Sequence, residues 1–548
     1  MNITNKICIC LLTCASLLSC SKKKIADAVF YNGKVYTVDS SFSIAEAFAV
    51  SNGKIIAVGS TQDLQNEFDA KEKQDLNGKS VYPGFIDAHC HFYGYASDLI
   101  KANLYGTKSF DEVIQKMVEF SKTNKFSWLL GRGWDQNDWD VKEFPSKEKL
   151  DSLFPLIPVY LMRVDGHAVL CNSAALNKSN ITATTKISGG EIVLKNGKLT
   201  GILIDNAVDL VNKYIPLESK ELLRDGLSQT QEKCFSLGLT TVDDAGLGRD
   251  SIELIHELQQ KGELKIRVYA MISANEENEK YYFEHGQVKT DRLNVRSFKI
   301  YADGALGSRG ACLLQPYSDK ANHSGFLLHD KKYFEDVAAQ MLAHGFQLNT
   351  HCIGDSANRL ILKIYGDHLK GKNDKRWRIE HCQVVAKEDL KIFGENNIIP
   401  SVQPTHATSD MYWAEERLGK ERIKTAYAYK DLMEQAGGMI AFGTDFPVEN
   451  INPIYTFYAA VVRKDLKEFP ANGFQMENSV SKKDALRAMT ILAAYSNFEE
   501  KEKGSIEKGK FADFIILDRN IMEVSSSEIP KTKVVATYVN GEKVFGEK

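Results

Sequence analysis

Two histidines separated by one residue, His89 and His91, follow an apolar run that ends at Ile86. Alternate side chains of a β-strand point to the same face, so we expect both imidazoles to face one cavity and Cys90 to face away. Imidazole is a common ligand of Zn²⁺ and similar divalent ions. The pair therefore predicts half of a metal site, whose remaining ligands must come from elsewhere in the chain.

Further candidate ligands stand at the ends of other apolar segments. His351 and His381 end two of these runs, and Asp445 ends a third. Four histidines and one aspartate exceed the three protein ligands of a single catalytic zinc, which favours a two-metal site. Such a site needs a bridging ligand, and Lys299 lies within another strand-like run. As an ammonium, Lys299 could not bind a metal and would instead pair with Asp303 or cover an apolar wall.

The elements that must position these residues are short apolar strands alternating with helix-like segments. The eight strand-like runs are residues 81–91, 238–244, 267–272, 298–303, 347–351, 378–381, 398–403 and 439–445. Buried strands alternating with helices predict parallel βα units, and eight such units predict an α/β fold with a (β/α)8 TIM barrel. Active sites of these barrels lie at the C-terminal ends of the strands, where the candidate ligands fall.

Both ends of the chain carry strand and turn signals of a different kind. Asn32-Gly33, Asn52-Gly53 and Asn540-Gly541 each lie beside apolar, strand-like runs, a pattern typical of β-hairpins. We predict a small β-sandwich built from residues 20–82 and 501–548, with the barrel at 83–500. Extra strand-like pieces at about 125–205 predict an insertion after the first barrel strand that lies over the barrel mouth.

Length, charge and cysteine content limit the class of protein to which this chain can belong. The chain has 548 residues, a formal net charge of −3 and 43% hydrophobic residues, which suits one large barrel with a smaller domain. Because no strongly basic surface is indicated, we predict no nucleic-acid partner. Four of the ten cysteines lie in the first twenty residues, and the other six are scattered without a Cys-x-x-Cys pair. No disulfide framework is therefore predicted.

The first twenty residues predict export. Residues 1–19 combine Lys6 with an apolar run too short to span a membrane, as in a signal peptide. Leu17-Leu18-Ser19-Cys20 resembles a bacterial lipobox, which implies cleavage before Cys20 and its lipidation. The resemblance implies a membrane anchor facing the periplasm of a Gram-negative bacterium, and the lack of Asp after Cys20 fits the outer membrane. Plain secretion and a buried helix are the alternatives.

Longer motifs carry a family resemblance. Residues 83–91 and 443–448 resemble the metal-dependent amidohydrolase superfamily, and residues 131–135, 298–311 and 351–355 resemble its branch of N-substituted formamide deformylases. The resemblance covers nearly all of the chain after the signal peptide. It implies that CO₂ converts Lys299 to a carbamate that bridges two divalent ions, zinc or a similar metal. It also implies that His89, His91 and Asp445 bind one ion, and that His351 and His381 bind the other.

Such a centre predicts hydrolysis of an amide-type, non-peptide carbon–nitrogen bond in a small-molecule substrate. A hydroxide held between the two ions would attack the carbonyl, because metal-bound water ionises near neutral pH. Asp445 would pass the proton to the leaving amine. His167 would stabilise the developing oxyanion, unless it is only a hairpin histidine. Other residues expected to touch substrate or brace loops are Trp134, Arg309, Gln403 and His406.

Neighbouring acidic residues are assigned supporting roles. Glu380 precedes His381 and is expected to face away from it, which favours a structural role. Asp243 and Asp244 end the second barrel strand, where one of them could support a metal ligand.

Two alternatives to amide hydrolysis remain. The same site could cleave esters, lactones or cyclic amides, because the spacing of the ligands does not distinguish these bonds. A lipoprotein that binds a small ligand or a metal for uptake, without catalysis, is the alternative from another class of protein. The complete ligand set, with an acid placed to move protons, favours the enzyme.

Overall fold

The computed structural model describes residues 23–123 and 126–547. The predicted signal peptide and Cys20 lie outside these residues. Within them, the chain forms a parallel barrel, two sheets built from the chain ends, and a further sheet inserted after the first barrel strand. None of the described helices combines the length and the apolar character needed to cross a bilayer.

The N-terminal strands are short and joined by tight turns. In chain order they are β1 (Lys24–Tyr31), β2 (Lys34–Tyr36), β3 (Ile44–Ala45), β4 (Ala47–Ser51), β5 (Lys54–Gly59), β6 (Phe68–Asp75) and β7 (Ser80–Pro83), with helix α1 (Thr61–Glu67) after β5. Asn52 and Gly53 join β4 to β5 with φ angles of 51° and 73°. Two positive φ angles are what a type I′ hairpin turn requires, so this Asn-Gly pair fixes the hairpin.

The first barrel strand, β8 (Phe85–Cys90), is followed by an inserted sheet. Its strands are β9 (Ala102–Asn103), β10 (Leu129–Trp134), β11 (Val159–Arg163), β12 (Ala168–Cys171), β13 (Gly190–Lys195) and β14 (Lys198–Asp205). The helices of this region are α2 (Phe92–Asp98), α3 (Phe110–Ser121), α4 (Glu148–Leu153), α5 (Ser173–Lys178) and α6 (Asn206–Asn212). The inserted sheet thus begins near residue 102, earlier than the predicted limit of about 125.

The remaining barrel strands follow the insertion. They are β15 (Leu239–Leu247), β16 (Arg267–Ser273), β18 (Leu293–Tyr301), β19 (Gln347–Cys352), β20 (Arg378–His381), β21 (Ile399–Val402) and β22 (Ala441–Phe442), while β17 (Val288–Lys289) pairs antiparallel with β18. From β8 to β22 these eight strands run parallel in chain order, which confirms the predicted (β/α)8 barrel.

The last strand lies against the first and brings two site residues together. The backbone N–H of Asp445 donates to the carbonyl oxygen of His89 at 2.7 Å. A Cβ on Gly443 would lie 2.4 Å from the backbone nitrogen of His89, so only glycine permits this approach. The Gly443 position therefore allows the two ends of the barrel sheet to meet at the candidate ligands.

Helices cover the outside of the barrel. They are α7 (Lys220–Ser236), α8 (Arg249–Gln260), α9 (Glu276–His285), α10 (Lys331–His344), α11 (Asp355–Leu369), α12 (Lys391–Asn396), α13 (Pro404–Asp410), α14 (Ala414–Arg422), α15 (Tyr429–Gln435), α16 (Pro453–Val462), α17 (Lys482–Ala488) and α18 (Ile491–Ser496). Helix α8 buries Ile252, Ile255 and Leu258, whose spacing of three residues puts them on one face. Burial of such faces holds the helices on the barrel sheet.

The C-terminal strands complete the sandwich. Strands β23 (Phe514–Leu517), β24 (Val534–Val539) and β25 (Glu542–Phe545) join the sheet of β7 and β2 through the antiparallel pair of β23 and β7. Phe514 packs against Phe30 and Phe48 of the other sheet, with ring centroids 4.8 Å apart in both pairs. The two chain ends thus form one β-sandwich, as predicted, and these aromatic rings lie in its core.

The six cysteines in the described residues are all free. Cys352 and Cys382, which follow two candidate ligands, are 0% and 1% exposed and belong to the barrel core. Their burial gives both thiols a packing role.

Candidate metal and catalytic site

A cavity of about 290 Å³ lies at the C-terminal ends of the barrel strands. Barrel residues that line it include His91, Lys299, His351, His381 and Asp445. The inserted sheet contributes Arg163, Val164, Asp165 and His167 to the same cavity, so the insertion forms part of the wall over the barrel mouth. The sequence-predicted ligands are therefore gathered at one cavity.

His89, His91 and Asp445 form the tightest group of candidate ligands. Oδ1 of Asp445 lies 3.2 Å from Nε2 of His91 and 3.7 Å from Nε2 of His89. Nε2 of His89 and Oδ1 of Asp445 are buried and have no hydrogen-bond partner among the described residues. Buried polar atoms are rarely left unpaired. Two imidazole nitrogens and a carboxylate oxygen that converge in this way suit a divalent ion.

Two of the candidate ligands have unusual backbone angles that direct their side chains towards the cavity. His381 and Asp445 have φ angles of 73° and 62°, in the left-handed region that residues with a side chain rarely adopt. Conformations of this kind are strained and cluster at functional sites. Because each residue stands at or just past a strand end, the turn redirects its side chain towards the cavity.

A buried ion-pair network holds His89. Nδ1 of His89 lies 2.5 Å from Oε2 of Glu380, and the guanidinium of Arg378 donates to both oxygens of Glu380 at 2.7 and 3.0 Å. Arg378 also donates to Asp243 at 3.1 Å. Burial alone would raise the pKa of Glu380, but Arg378 and His89 outweigh it and lower that pKa well below its usual range. Glu380 is therefore ionised and keeps the proton of His89 on Nδ1, which leaves Nε2 free for a metal.

His381 and His351 lie beside this group. Their ring centroids are 4.5 Å apart, and the ring of His381 is 4.8 Å from that of His89. Nδ1 of His381 lies 2.7 Å from Oε1 of Gln403. Gln403 is 1% exposed and so orients His381 from behind. The predicted ligands of a second ion are thus adjacent to those of the first.

Lys299 is 2% exposed and lines the cavity. Its Nζ has no hydrogen-bond partner among the described residues and lies 4.2 Å from the ring centroid of Tyr301. The pairing with Asp303, one of the two alternatives for this lysine, does not form. Asp303 instead accepts backbone N–H groups of Cys312, Ile353 and Gly354 at 2.8 to 3.0 Å.

His406 lies between two carboxylates. Its Nε2 is 3.3 Å from Oδ2 of Asp445 and its Nδ1 is 3.0 Å from Oε1 of Glu449. Burial would lower the pKa of His406, but the two carboxylates outweigh it and raise that pKa well above its usual value. The two carboxylates therefore favour the charged form of the imidazole. The ligand atoms of His406, His381 and Asp445 also lie close enough together to hold a metal ion. His406 fixes the oxygen of Asp445 that points away from His91.

His167 lines the cavity from the inserted sheet. Its Nδ1 lies 2.6 Å from Oδ1 of Asp205, and its ring centroid is 4.9 Å from that of His351. Burial would lower the pKa of His167, but hydrogen bonding and charge from Asp205 raise it overall. The structure therefore brings to the cavity an imidazole whose charged form is favoured by Asp205 and which donates from Nε2 in that form.

Three residues predicted to touch substrate do not line the cavity. Trp134 is 1% exposed in the core of the insertion, where its Nε1 donates to the backbone oxygen of Leu161 at 2.8 Å. Arg309 forms an ion pair with Asp319 at 2.7 Å. Gln403 contacts His381, as described above. The geometry gives these side chains packing and supporting contacts.

Comparison with known proteins places the chain among hydrolases. Residues 72–545 match the model of a family described as "Amidohydrolase family". The chain is 33% identical to Protein LONG AFTER FAR-RED 3 of Arabidopsis thaliana, over 95% of this chain and 92% of that protein. It is 27% identical to an N-substituted formamide deformylase of Arthrobacter pascens, over 94% and 98% of the two chains.

A solved structure matches as well. The crystal structure of an uncharacterized metal-dependent hydrolase from Pyrococcus horikoshii superposes with a TM-score of 0.74 at 28% identity. The match covers 91% of this chain and 99% of that one, so it includes the barrel, the insertion and the sandwich.

Proposed function

This chain belongs to the amidohydrolase family, and we propose that it hydrolyses an amide-type bond of a small N-formyl or N-acyl compound at two divalent ions. Membership of the family and similarity to hydrolases support a metal-dependent hydrolase of carbon–nitrogen bonds. The substrate class rests on the similarity to a protein named for the deformylation of N-substituted formamides.

The main support for the proposal is that Lys299 is buried and its Nζ has no hydrogen-bond partner among the described residues. A buried ammonium without a partner is costly, and the charge of Lys299 would repel cations bound by the nearby histidines. Reaction of its neutral amine with CO₂ would release a proton and give an anionic carbamate. The charge of the side chain would then complement the metals. The donor set thus fits His89, His91 and Asp445 on one ion and His351 and His381 on the other, with Lys299 between them.

Divalent ions bound there would lower the pKa of a water to about 7 and polarise a carbonyl oxygen. Asp445 would take the proton of the attacking water and deliver it to the departing amine nitrogen. His406 contacts Oδ2 of the same carboxylate and so fixes the orientation of Asp445. His167 donates from Nε2 to the oxygen that gains negative charge, while Asp205 holds its other nitrogen.

Metal analysis coupled to an activity screen tests this proposal. The purified enzyme should hold two divalent ions per chain and hydrolyse at least one N-formyl or N-acyl amide. Treatment with a chelator should abolish the activity, and addition of Zn²⁺, Mn²⁺ or Co²⁺ should restore it. Faster turnover of matched esters or lactones would identify the alternative hydrolase. Stoichiometric metal without hydrolysis of any amide or ester would favour the binding protein.

We also propose that a lipid on Cys20 anchors the enzyme in the cell envelope, in the outer membrane facing the periplasm. The support is the lipobox-like sequence that ends at Cys20. A Cys20→Ser variant should move from the membrane fraction to the soluble fraction without losing activity. A variant that stays with the membranes would contradict the anchor.

A further inference from the structure

A second cavity, of about 430 Å³, lies between the inserted sheet and helices α7 and α8. We call it the side cavity. Its apolar lining includes Leu130, Met162, Ile215, Leu223 and Leu254. A cavity with mostly apolar walls and a few polar groups is typical of a small-molecule site.

Two neighbouring strands present a mixed surface to this cavity. In the parallel pair of β10 and β11, Leu130 stands beside Tyr160 and Arg132 stands beside Met162. Residues two apart on a strand share a face, so these four side chains form one patch. All four line the side cavity. The guanidinium of Arg132 is therefore diagonal to the Tyr160 ring, within reach of a long side chain.

Some hydrogen-bond donors of the Arg132 guanidinium have no acceptor among the described residues. Its Nε lies 3.1 Å from the hydroxyl of Tyr105 and 3.2 Å from Oδ2 of Asp98. Nη1 contacts only the sulfur of Met162, at 3.2 Å, and neither terminal nitrogen donates to an oxygen among the described residues. Two terminal nitrogens remain available for a carboxylate, which a guanidinium binds in a paired geometry.

Tyr160 supplies a second free donor. The residue is 5% exposed, yet its hydroxyl has no hydrogen-bond partner among the described residues. Burial raises the pKa of Tyr160 well above its usual value, so the hydroxyl keeps its proton. A buried hydroxyl that lacks an acceptor destabilises the protein, and a ligand oxygen would supply that acceptor.

The side cavity also contains a cluster of paired charges. Lys101 contacts Asp98 at 3.0 Å and Glu218 at 3.6 Å. Lys220 and Asp250 also line the cavity, so it holds three basic and three acidic side chains. The free donors of Arg132 and Tyr160 therefore decide the preference for an anion.

We propose that the side cavity binds an apolar monocarboxylate, separately from the metal centre. The carboxylate accepts hydrogen bonds from Arg132 and Tyr160, and the hydrocarbon body lies against Leu130, Met162 and Ile215. Burial of that body drives binding, because the cavity walls are otherwise in contact with water.

Arg132 also connects this cavity to the catalytic one. Tyr105 lines the catalytic cavity, and its hydroxyl accepts a hydrogen bond from Arg132. Gly133, the next residue of β10, lines the catalytic cavity too. The two cavities thus share a wall that includes Tyr105, Arg132 and Gly133.

Calorimetric titration with octanoate tests the proposal, with 1-octanol as the uncharged probe. Octanoate should bind stoichiometrically, and octanol should bind at least about tenfold more weakly because it lacks the charged partner of Arg132. Carboxylates also bind metal ions, so the titration is repeated on chelator-treated enzyme. Binding that persists after chelation supports the side cavity, and binding that disappears overturns the proposal.

Two variants locate the ligand. Arg132→Met should weaken octanoate binding by at least tenfold, and Tyr160→Phe, which removes only the free hydroxyl, should weaken it several-fold. Lys220→Met is the matched control, because it removes a cation from the rim and should leave the dissociation constant within about twofold. If Arg132→Met fails to fold, Tyr160→Phe decides. Unchanged binding in the folded variants, or an equal loss in Lys220→Met, would overturn the proposal.

Discussion

Nδ1 of His89 and Oε2 of Glu380 lie 2.5 Å apart at the buried centre of the barrel. Both side chains are 0% exposed, and Arg378 holds the other side of the carboxylate. This contact fixes the imidazole in the tautomer that presents Nε2 to the cavity. It links a candidate metal ligand on the first barrel strand to the sixth strand.

From the contact between His89 and Glu380 we predict that Glu380→Gln weakens metal binding. Partners that orient a metal-bound histidine typically contribute 10- to 100-fold in affinity, and we expect a loss in that range. Competition against a chromophoric chelator would measure it. Glu388→Gln is the matched control, because Glu388 is an exposed partner of Arg359 and should leave the affinity unchanged. An affinity equal to that of the wild type would exclude the orienting role.

Glu380 also shows where the alternation of side chains along a strand fails as a guide. Alternation along β20 would put Glu380 and His381 on opposite faces, and on that basis we predicted a structural role for Glu380. Instead, both border His89. The left-handed φ of His381 breaks the alternation, and no sequence pattern reveals that angle.

Asp445→Asn removes the group that moves the proton but keeps an oxygen in place. We expect turnover to fall by about 10²- to 10⁴-fold, the usual contribution of a general acid or base, with little change in thermal stability. Asp319→Asn, at an ion pair remote from the metal ligands, serves as the control. Turnover within a few-fold of wild type in Asp445→Asn would contradict the proton-transfer role.

Asp87 predicts a pH dependence of stability. It is 2% exposed, and burial raises its pKa to about 7, against 3.8 for the ordinary carboxyl. Between these values the unfolded chain has released the proton and the folded chain has not. The stability that Asp87 contributes is therefore present in full below pH 4 and is lost as the pH rises through 7, by about 4 kcal/mol at most.

Thermal unfolding of metal-stripped wild type and Asp87→Asn would measure the pH-dependent stability that Asp87 contributes. Because the amide mimics the protonated carboxyl, the stability of wild type relative to the variant should fall from pH 4 to pH 7 and then level off. A difference that stays constant across this range would show that Asp87 keeps the same charge in the folded and unfolded states.

Substitutions of Trp134 and Trp413 compare a buried tryptophan with one that could contact the substrate. Trp134 lies in the core of the insertion, whereas Trp413 lines the catalytic cavity. Trp134→Phe should lower the free energy of unfolding by about 1–3 kcal/mol and leave KM unchanged. Trp413→Phe should change KM instead. A raised KM in Trp134→Phe, with normal stability, would instead support the sequence-based prediction that Trp134 contacts the substrate.

The barrel could be predicted because each of its strands is a buried apolar run, and the ligands stand at the ends of those runs. Contacts between distant segments could not be predicted in the same way. His406 lies in a helix after the seventh strand, and only the fold brings it to Asp445 and Glu449. Trp134 and Arg309 belong to family-like motifs, but the motif does not reveal that their side chains turn into packing and ion-pair contacts.

Lys299 provides the most direct test of the metal centre. A crystal structure of active, metal-replete enzyme, with anomalous scattering recorded at the metal edge, would show both the ions and the state of the lysine. We expect two ions near His91 and His351, with density for a carboxyl group on Nζ of Lys299 between them. An unmodified Lys299 in active enzyme, or a single ion, would contradict the proposed two-metal centre.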